Sequence, residues 1–191
     1  MARIVIFGSS QPMPGDPVYE EARKLGRLLA LSGHIVMTGG YVGVMEGASR
    51  GAAEAGGHVI GVTCAEIEAW RAVQPNPWVK EVIRCETLLQ RLGVLITTSE
   101  AAIVMPGGPG TLTEAALTWN LLLTEAISSR PLVLVGSGWK NVMGLLIREF
   151  DGFIPIEQRN WLSYAEDAQD ASTKVEGIFS GLNTLHTVTD P

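Results

Sequence analysis

The sequence is poor in the residues on which much redox, metal and polyanion chemistry depends. It has only two cysteines, Cys64 and Cys85, neither in a C-x-x-C pair nor beside histidines. That spacing excludes a zinc ribbon or dithiol motif and argues against a structural disulfide. The three histidines, His34, His58 and His186, are scattered without ligand spacing, so no metal site is expected. Lys and Arg number 14 against 20 Asp and Glu, a formal charge of −6. Such a balance excludes a general nucleic-acid surface, because that affinity rests on cations neutralising phosphates. Charged residues are 18% of the chain and hydrophobic ones 46%, which excludes a disordered, solvating segment. No apolar run reaches membrane-spanning length. The N-terminus, MARIVIFGSS, reads as a strand rather than a signal peptide. A cytoplasmic protein without membrane or nucleic-acid partners is expected. At 191 residues, with no repeat, linker or low-complexity stretch, residues 1–191 are expected to form one domain.

What is present is an alternation of β-branched runs with helical periodicity, the pattern of a mainly parallel sheet with helices on both faces. The expected class is therefore α/β, a Rossmann-like three-layer fold. Strands are predicted at Ile4–Phe7, Ile35–Met37, His58–Thr63, Glu81–Arg84, Ala101–Met105 and Leu132–Val135. Helices are predicted at Val18–Leu31, Gly43–Ala55, Thr87–Thr98, from just after Gly110 to Ile127, Asn141–Phe150 and Ala168–Leu182. The alanines and glycines of the second helix (Gly47, Ala48, Gly51, Ala52) would let it lie close to the sheet. The segment Cys64–Val79, with Pro75 and Pro77, reads as an irregular flap over a site.

Ligands of an open parallel sheet bind at the C-terminal ends of its strands. Three small-residue turns fall there: Gly8-Ser9-Ser10, Thr38-Gly39-Gly40 and Gly107–Thr111. Each of the first two is also explained by plain strand-to-helix turn geometry. The third is sharper, with Gly107, Gly108 and Gly110 ahead of Thr111 at a helix start, where free N–H groups and the helix dipole suit a phosphate. None of the turns has the Walker lysine, and the first is no G-x-G-x-x-G. Glu114 has two readings. Thr111-Leu112-Thr113-Glu114 fits a capping box, and a carboxylate one turn into a phosphate-binding helix is also placed beneath a ribose. Trp70, Trp78 and Trp161 read as packing residues, with Trp70 or Trp78 as possible caps on a base.

The stretches Thr38-Gly39-Gly40-Tyr41-Val42-Gly43-Val44-Met45-Glu46 and Pro106-Gly107-Gly108-Pro109-Gly110-Thr111-Leu112-Thr113-Glu114 resemble the LONELY GUY (LOG) family, whose members have also been labelled lysine decarboxylase-like. The second stretch matches the family pattern PGGxGTxxE at every fixed position, and the resemblance runs from Ile4 to about Met143. It implies cleavage of the N-glycosidic bond of a nucleoside 5′-monophosphate, AMP or a cytokinin nucleotide, to free base and ribose 5-phosphate, by a homodimer without cofactor. It also implies roles. Gly107, Gly108, Gly110 and Thr111 would hold the phosphate. Gly8, Ser9, Ser10, Gly39, Gly40, Gly43 and Met45 would surround the nucleotide. Glu114 and Arg91, the latter fifteen positions before Pro106, would be catalytic. The chain departs from the family pattern at Leu92, where a lysine usually follows the arginine, and at Tyr41-Val42, where Gly-Pro is common. The superfamily also includes molybdenum-cofactor carriers, whose second turn is similar to the Tyr-Val-Gly-Val-Met-Glu seen here, so a non-catalytic carrier or sensor of a phosphorylated ligand is the alternative. A lysine decarboxylase is excluded: Lys24, Lys80, Lys140 and Lys174 lie outside the three turns, and no motif for a pyridoxal-bearing lysine is present.

Overall fold

The computed structural model describes residues 1–181 of the chain. Seven strands run in order: β1 Arg3–Phe7, β2 Ile35–Thr38, β3 Val59–Cys64, β4 Glu81–Cys85, β5 Ala101–Val104, β6 Leu132–Val135 and β7 Ser163–Ala165. They form one sheet in the order β4-β3-β2-β1-β5-β6-β7, parallel at every pairing. The inner strands β5 and β6 are buried along their whole length, as expected when helices cover both faces.

The helices are α1 Pro17–Leu31, α2 Val44–Glu54, α3 Ala65–Trp70, α4 Leu88–Thr97, α5 Pro109–Leu123, α6 Ser137–Glu149, α7 Ile156–Arg159 and α8 Ala168–Phe179. One face of the sheet packs on α1, α2 and α8 through Leu25, Leu29, Ala48, Ala52, Ala171 and Val175. The other packs on α4, α5 and α6 through Leu95, Ile96, Trp119, Leu122, Trp139 and Met143. The chain leaves β1 for one face and β5 for the other, although the two strands are neighbours. Their diverging turns open a crevice at the C-terminal edge, the place where ligands bind in open α/β sheets.

The Rossmann-like class is borne out, with corrections in detail. The small residues of α2 divide their work: Ala48 and Ala52 face the sheet, whereas Gly47 and Gly51 lie against the α1 backbone at Tyr19 and Arg23. The flap is not irregular throughout, since α3 occupies its first part. β7 was not anticipated; its three residues are too short to show an alternating pattern. α5 stops at Leu123 rather than Ile127. There Glu125 takes a left-handed conformation (φ 53°), and the N–H groups of Glu125 and Ala126 donate back to the Leu122 and Leu121 carbonyls. This is a Schellman stop formed without glycine, so no glycine announces it. α6 starts at Ser137, four residues before the expected Asn141. Leu182, the expected end of α8, and His186 lie outside the described residues. His34 pairs with Glu176 and His58 with Glu81; both histidines stand just before the adjacent strands β2 and β3, at the N-terminal edge of the sheet. Cys64 and Cys85 are buried free thiols that face each other in the β3–β4 register.

Candidate active site

The three turns meet at the crevice. The Ser9 N–H donates to the Pro106 carbonyl (3.1 Å) and the Ser9 carbonyl accepts from the Val44 N–H (2.9 Å), joining the turn after β1 to those after β5 and β2. Contact this close requires glycine at position 43. Its φ is +74°, and a Cβ there would come within 2.6 Å of the Ser10 Cα. Between the turns lies a cavity of about 440 Å³, within the range of small-molecule sites, which runs from about 300 to 1,000 Å³. The flap roofs it and is fastened to the second turn by Asn76. The Asn76 N–H and side-chain amide both donate to the Gly40 carbonyl (2.8 and 3.0 Å), and the amide also donates to the Tyr41 carbonyl (2.8 Å).

At the β5 end, helix α5 begins at Pro109, with Gly108 as its N-cap. Proline suits the first helical position because the N–H it lacks would have been unpaired anyway. The first helical hydrogen bond is donated by Leu112 to the Gly108 carbonyl (2.9 Å). No acceptor among the described residues meets the N–H groups of Gly108, Gly110 and Thr111. Three donors and the positive helix end are therefore directed out of the turn, a ready anion site. This start overturns the capping-box reading of Thr111–Glu114. Thr111 is the third residue inside the helix, not its cap, so Glu114 has no cap N–H to reach back to. A capping box does exist, but in α4, between Thr87 and Gln90.

Released from capping, the Glu114 side chain turns into the cavity with only 12% of its surface exposed. Its Oε1 lies 3.9 Å from Arg91 Nη1, within Coulomb range but outside hydrogen-bond distance. Burial pushes the carboxyl up to about 7, and the Arg91 charge offsets only part of that rise. Arg91 is itself fixed by the backbone: Nε donates to the Val62 carbonyl (2.7 Å) and Nη2 to that of Gly39 (3.2 Å). Its guanidinium carbon sits 5.7 Å from the centroid of the Tyr41 ring. A side chain at position 39 would collide with Arg91 Nη2, so glycine there makes room for the guanidinium.

Of the residues expected at the site, Gly8, Ser9, Ser10, Met45, Arg91, Gly108, Gly110, Thr111 and Glu114 line the cavity. Gly39, Gly40, Gly43 and Gly107 do not. They shape the turns behind the wall, Gly39 and Gly40 through the carbonyls that hold Arg91 and Asn76. Leu92 is buried and also outside the cavity lining, so the departure from the usual Arg-Lys pair falls behind the site. The flap supplies Trp70, and also Ile67 and Arg71, which the sequence reading did not single out; Trp78 instead lies under Arg50, 5.4 Å from its guanidinium. Tyr41 was likewise noted only as a departure from the family pattern. A bulky residue following Gly-Gly was the available signal that this turn carries a wall rather than only a bend. Among the described residues no group of three His, Cys, Asp or Glu side chains could hold a metal.

Residues 1–143 match the model of the SLOG cluster4 family. The chain is 28% identical over 180 residues, covering 91% of itself and 77% of the relative, to a probable cytokinin riboside 5′-monophosphate phosphoribohydrolase of Oryza sativa subsp. japonica. It is 33% identical over 144 residues to the pyrimidine/purine nucleotide 5′-monophosphate nucleosidase of Escherichia coli K12, covering 70% of itself and 30% of that longer protein. Among solved structures, the molybdenum cofactor binding protein of Rippkaea orientalis superposes with a TM-score of 0.73 at 25% identity, over 93% of this chain and 97% of that one.

Proposed function

Since this chain belongs to the SLOG cluster4 family, we propose that it is a hydrolase of nucleoside 5′-monophosphates that releases the free base and ribose 5-phosphate. The observation that carries this reading is the placement of Glu114. Among the described residues, the only carboxylate lining the cavity lies one turn inside the helix whose unpaired N–H groups face the same cavity. A phosphate seated on Gly108, Gly110 and Thr111 puts the attached ribose over Glu114. Water then adds to the anomeric carbon as the bond to the base nitrogen breaks, through an oxocarbenium-like centre. The Glu114 carboxylate stabilises that positive charge. Poised near neutrality, it also takes one proton of the water, and the proton ends on the departing base. Arg91, locked by two carbonyls, presents a fixed positive charge 3.9 Å from the carboxylate and keeps a useful fraction of it ionised.

The reading extends to a single nucleotide-binding domain acting as a homodimer in the cytoplasm. Supporting the dimer is a row of exposed apolar residues on one layer: Leu89 of α4, Leu112 of α5, and Val142 and Leu145 of α6. No helix of the described residues is long and apolar enough to cross a membrane. The second reading, a non-catalytic carrier of a phosphorylated ligand, draws on the likeness to the molybdenum cofactor binding protein. One experiment separates them: incubation with AMP, GMP, UMP and a cytokinin nucleotide, followed by chromatography for free base. Base released by the wild type and not by Glu114→Gln supports the hydrolase. Tight binding with no base from any nucleotide supports the carrier.

A further inference from the structure

The cavity carries a second cation that the reaction above does not use. Arg71 lies at the end of α3, on the flap, and lines the cavity beside Trp70. Its guanidinium carbon is 5.0 Å from the Trp70 ring centroid, and its one side-chain hydrogen bond among the described residues is a long one, Nη1 to Ser10 Oγ at 3.4 Å. The two acids of α3 that could neutralise it have other partners. Glu66 accepts from the Leu88 N–H (2.8 Å), and Glu68 pairs with Arg84 (2.7 Å) and accepts from the Tyr41 hydroxyl (3.4 Å). Arg71 forms no ion pair among the described residues. Trp70 is 77% exposed, so apart from the Arg71 guanidinium little of the chain packs on its ring.

The sheet order says which part of a nucleotide this pair meets. The phosphate turn follows β5 and the flap follows β3, three strand spacings away. At ~4.8 Å per spacing the two origins are about 14 Å apart along the edge. A nucleotide with its phosphate on α5 and its ribose over Glu114 therefore points its base toward the flap. Arg71 offers only donors and no acceptor. The O6 and N7 atoms of guanine or hypoxanthine form an acceptor pair that a guanidinium matches with two bonds, whereas adenine presents an N6 amino donor beside N7. Trp70 supplies a stacking face that any base can use.

We infer that Arg71 is a specificity-determining residue that selects 6-oxopurine nucleotides, GMP and IMP, over AMP; this rests on the hydrolase site proposed above for the orientation of the ligand. The test is calorimetric binding of GMP, IMP, AMP and ribose 5-phosphate to the wild type, Arg71→Met and Arg71→Lys. The wild type should bind GMP and IMP about tenfold more tightly than AMP, within the range of one bidentate contact. Arg71→Met should erase that preference while leaving ribose 5-phosphate affinity unchanged. Arg71→Lys should not restore it, because the planar fork and not the charge makes the discrimination. Equal binding of AMP and GMP by the wild type would overturn the inference. So would a loss of ribose 5-phosphate affinity in Arg71→Met matching the loss for GMP, since Arg71 would then be a phosphate ligand. Failure of the hydrolase reading would look different: no base released from any nucleotide, with the preference for GMP intact.

Discussion

Replacing Glu114 by glutamine gives a stability effect whose sign is opposite to that of an ordinary lost ion pair. Buried beside the α5 turn, the carboxyl has a folded-state value of about 7, against 4.5 for an exposed glutamate. At 1.36 kcal/mol per pH unit the difference is worth roughly 3 kcal/mol. Between those two values the native protein binds the proton more tightly than the unfolded chain, so stability falls as pH rises. The penalty is absent below about pH 4.5 and complete above about pH 7. Arg91 does not reverse it, because at 3.9 Å it donates no hydrogen bond to the carboxylate. Glutamine keeps the shape and cannot ionise. Glu114→Gln should therefore be more stable than the wild type at about pH 8, by up to roughly 3 kcal/mol, and the gap should close toward about pH 5. Urea unfolding of both proteins across this range measures it, and taking the difference cancels the titration of every other carboxylate they share. A gap that stays constant with pH, or a variant less stable at alkaline pH, would refute the reasoning about this carboxyl.

Other outcomes follow from the same geometry. Base release should rise with pH through about 7 and level above it, because the ionised Glu114 is the active form; a pH profile of kcat/KM checks this, and a falling limb across that range would contradict it. Gly39→Ala should push Arg91 out of its carbonyl cradle and lower base release by about 10²-fold or more, with a modest fall in melting temperature, read by steady-state kinetics and thermal unfolding. AMP should bind more tightly than adenosine by about 2–4 kcal/mol, the contribution of a charged phosphate on several N–H groups; equal affinities in calorimetry would remove the phosphate from the α5 turn. Light scattering should give a mass near twice 20.4 kDa, and Leu145→Glu should lower it toward that of one chain.

Much of the fold was legible because its signals are local. β6 was read to the residue, since Leu132–Val135 is an unbroken β-branched and apolar run between Pro131 and Gly136. The turns that build the cavity were legible as clusters of small residues at strand ends. The start of α5 was misread because two helix-start signals overlap. Pro109 at a first helical position and the Thr111–Glu114 spacing both mark an N-terminus, and only the first is used. The consequence was functional, since capping would have removed Glu114 from the cavity. The flap was legible as the proline-interrupted segment Cys64–Val79, with Trp70 as a candidate cap on a base, but Arg71 was not. It reaches the crevice because β3, two strands from β1 in the sheet, sends its connection back over the edge, and no local pattern in the sequence picks out that side chain. Tyr41 shows the same limit, as its hydroxyl accepts from the Cys64 N–H at 2.8 Å across twenty-three positions of sequence.

Bond cleavage should occur at the anomeric carbon and depend on Glu114. Reaction of a purine monophosphate in heavy-oxygen water, with the products weighed by mass spectrometry, tests it most directly. The wild type should yield unlabelled free base and ribose 5-phosphate carrying one heavy oxygen, formed far more slowly by Glu114→Gln. Labelled inorganic phosphate with an intact nucleoside, or labelled ribose 5-phosphate formed equally fast by the variant, would contradict the account.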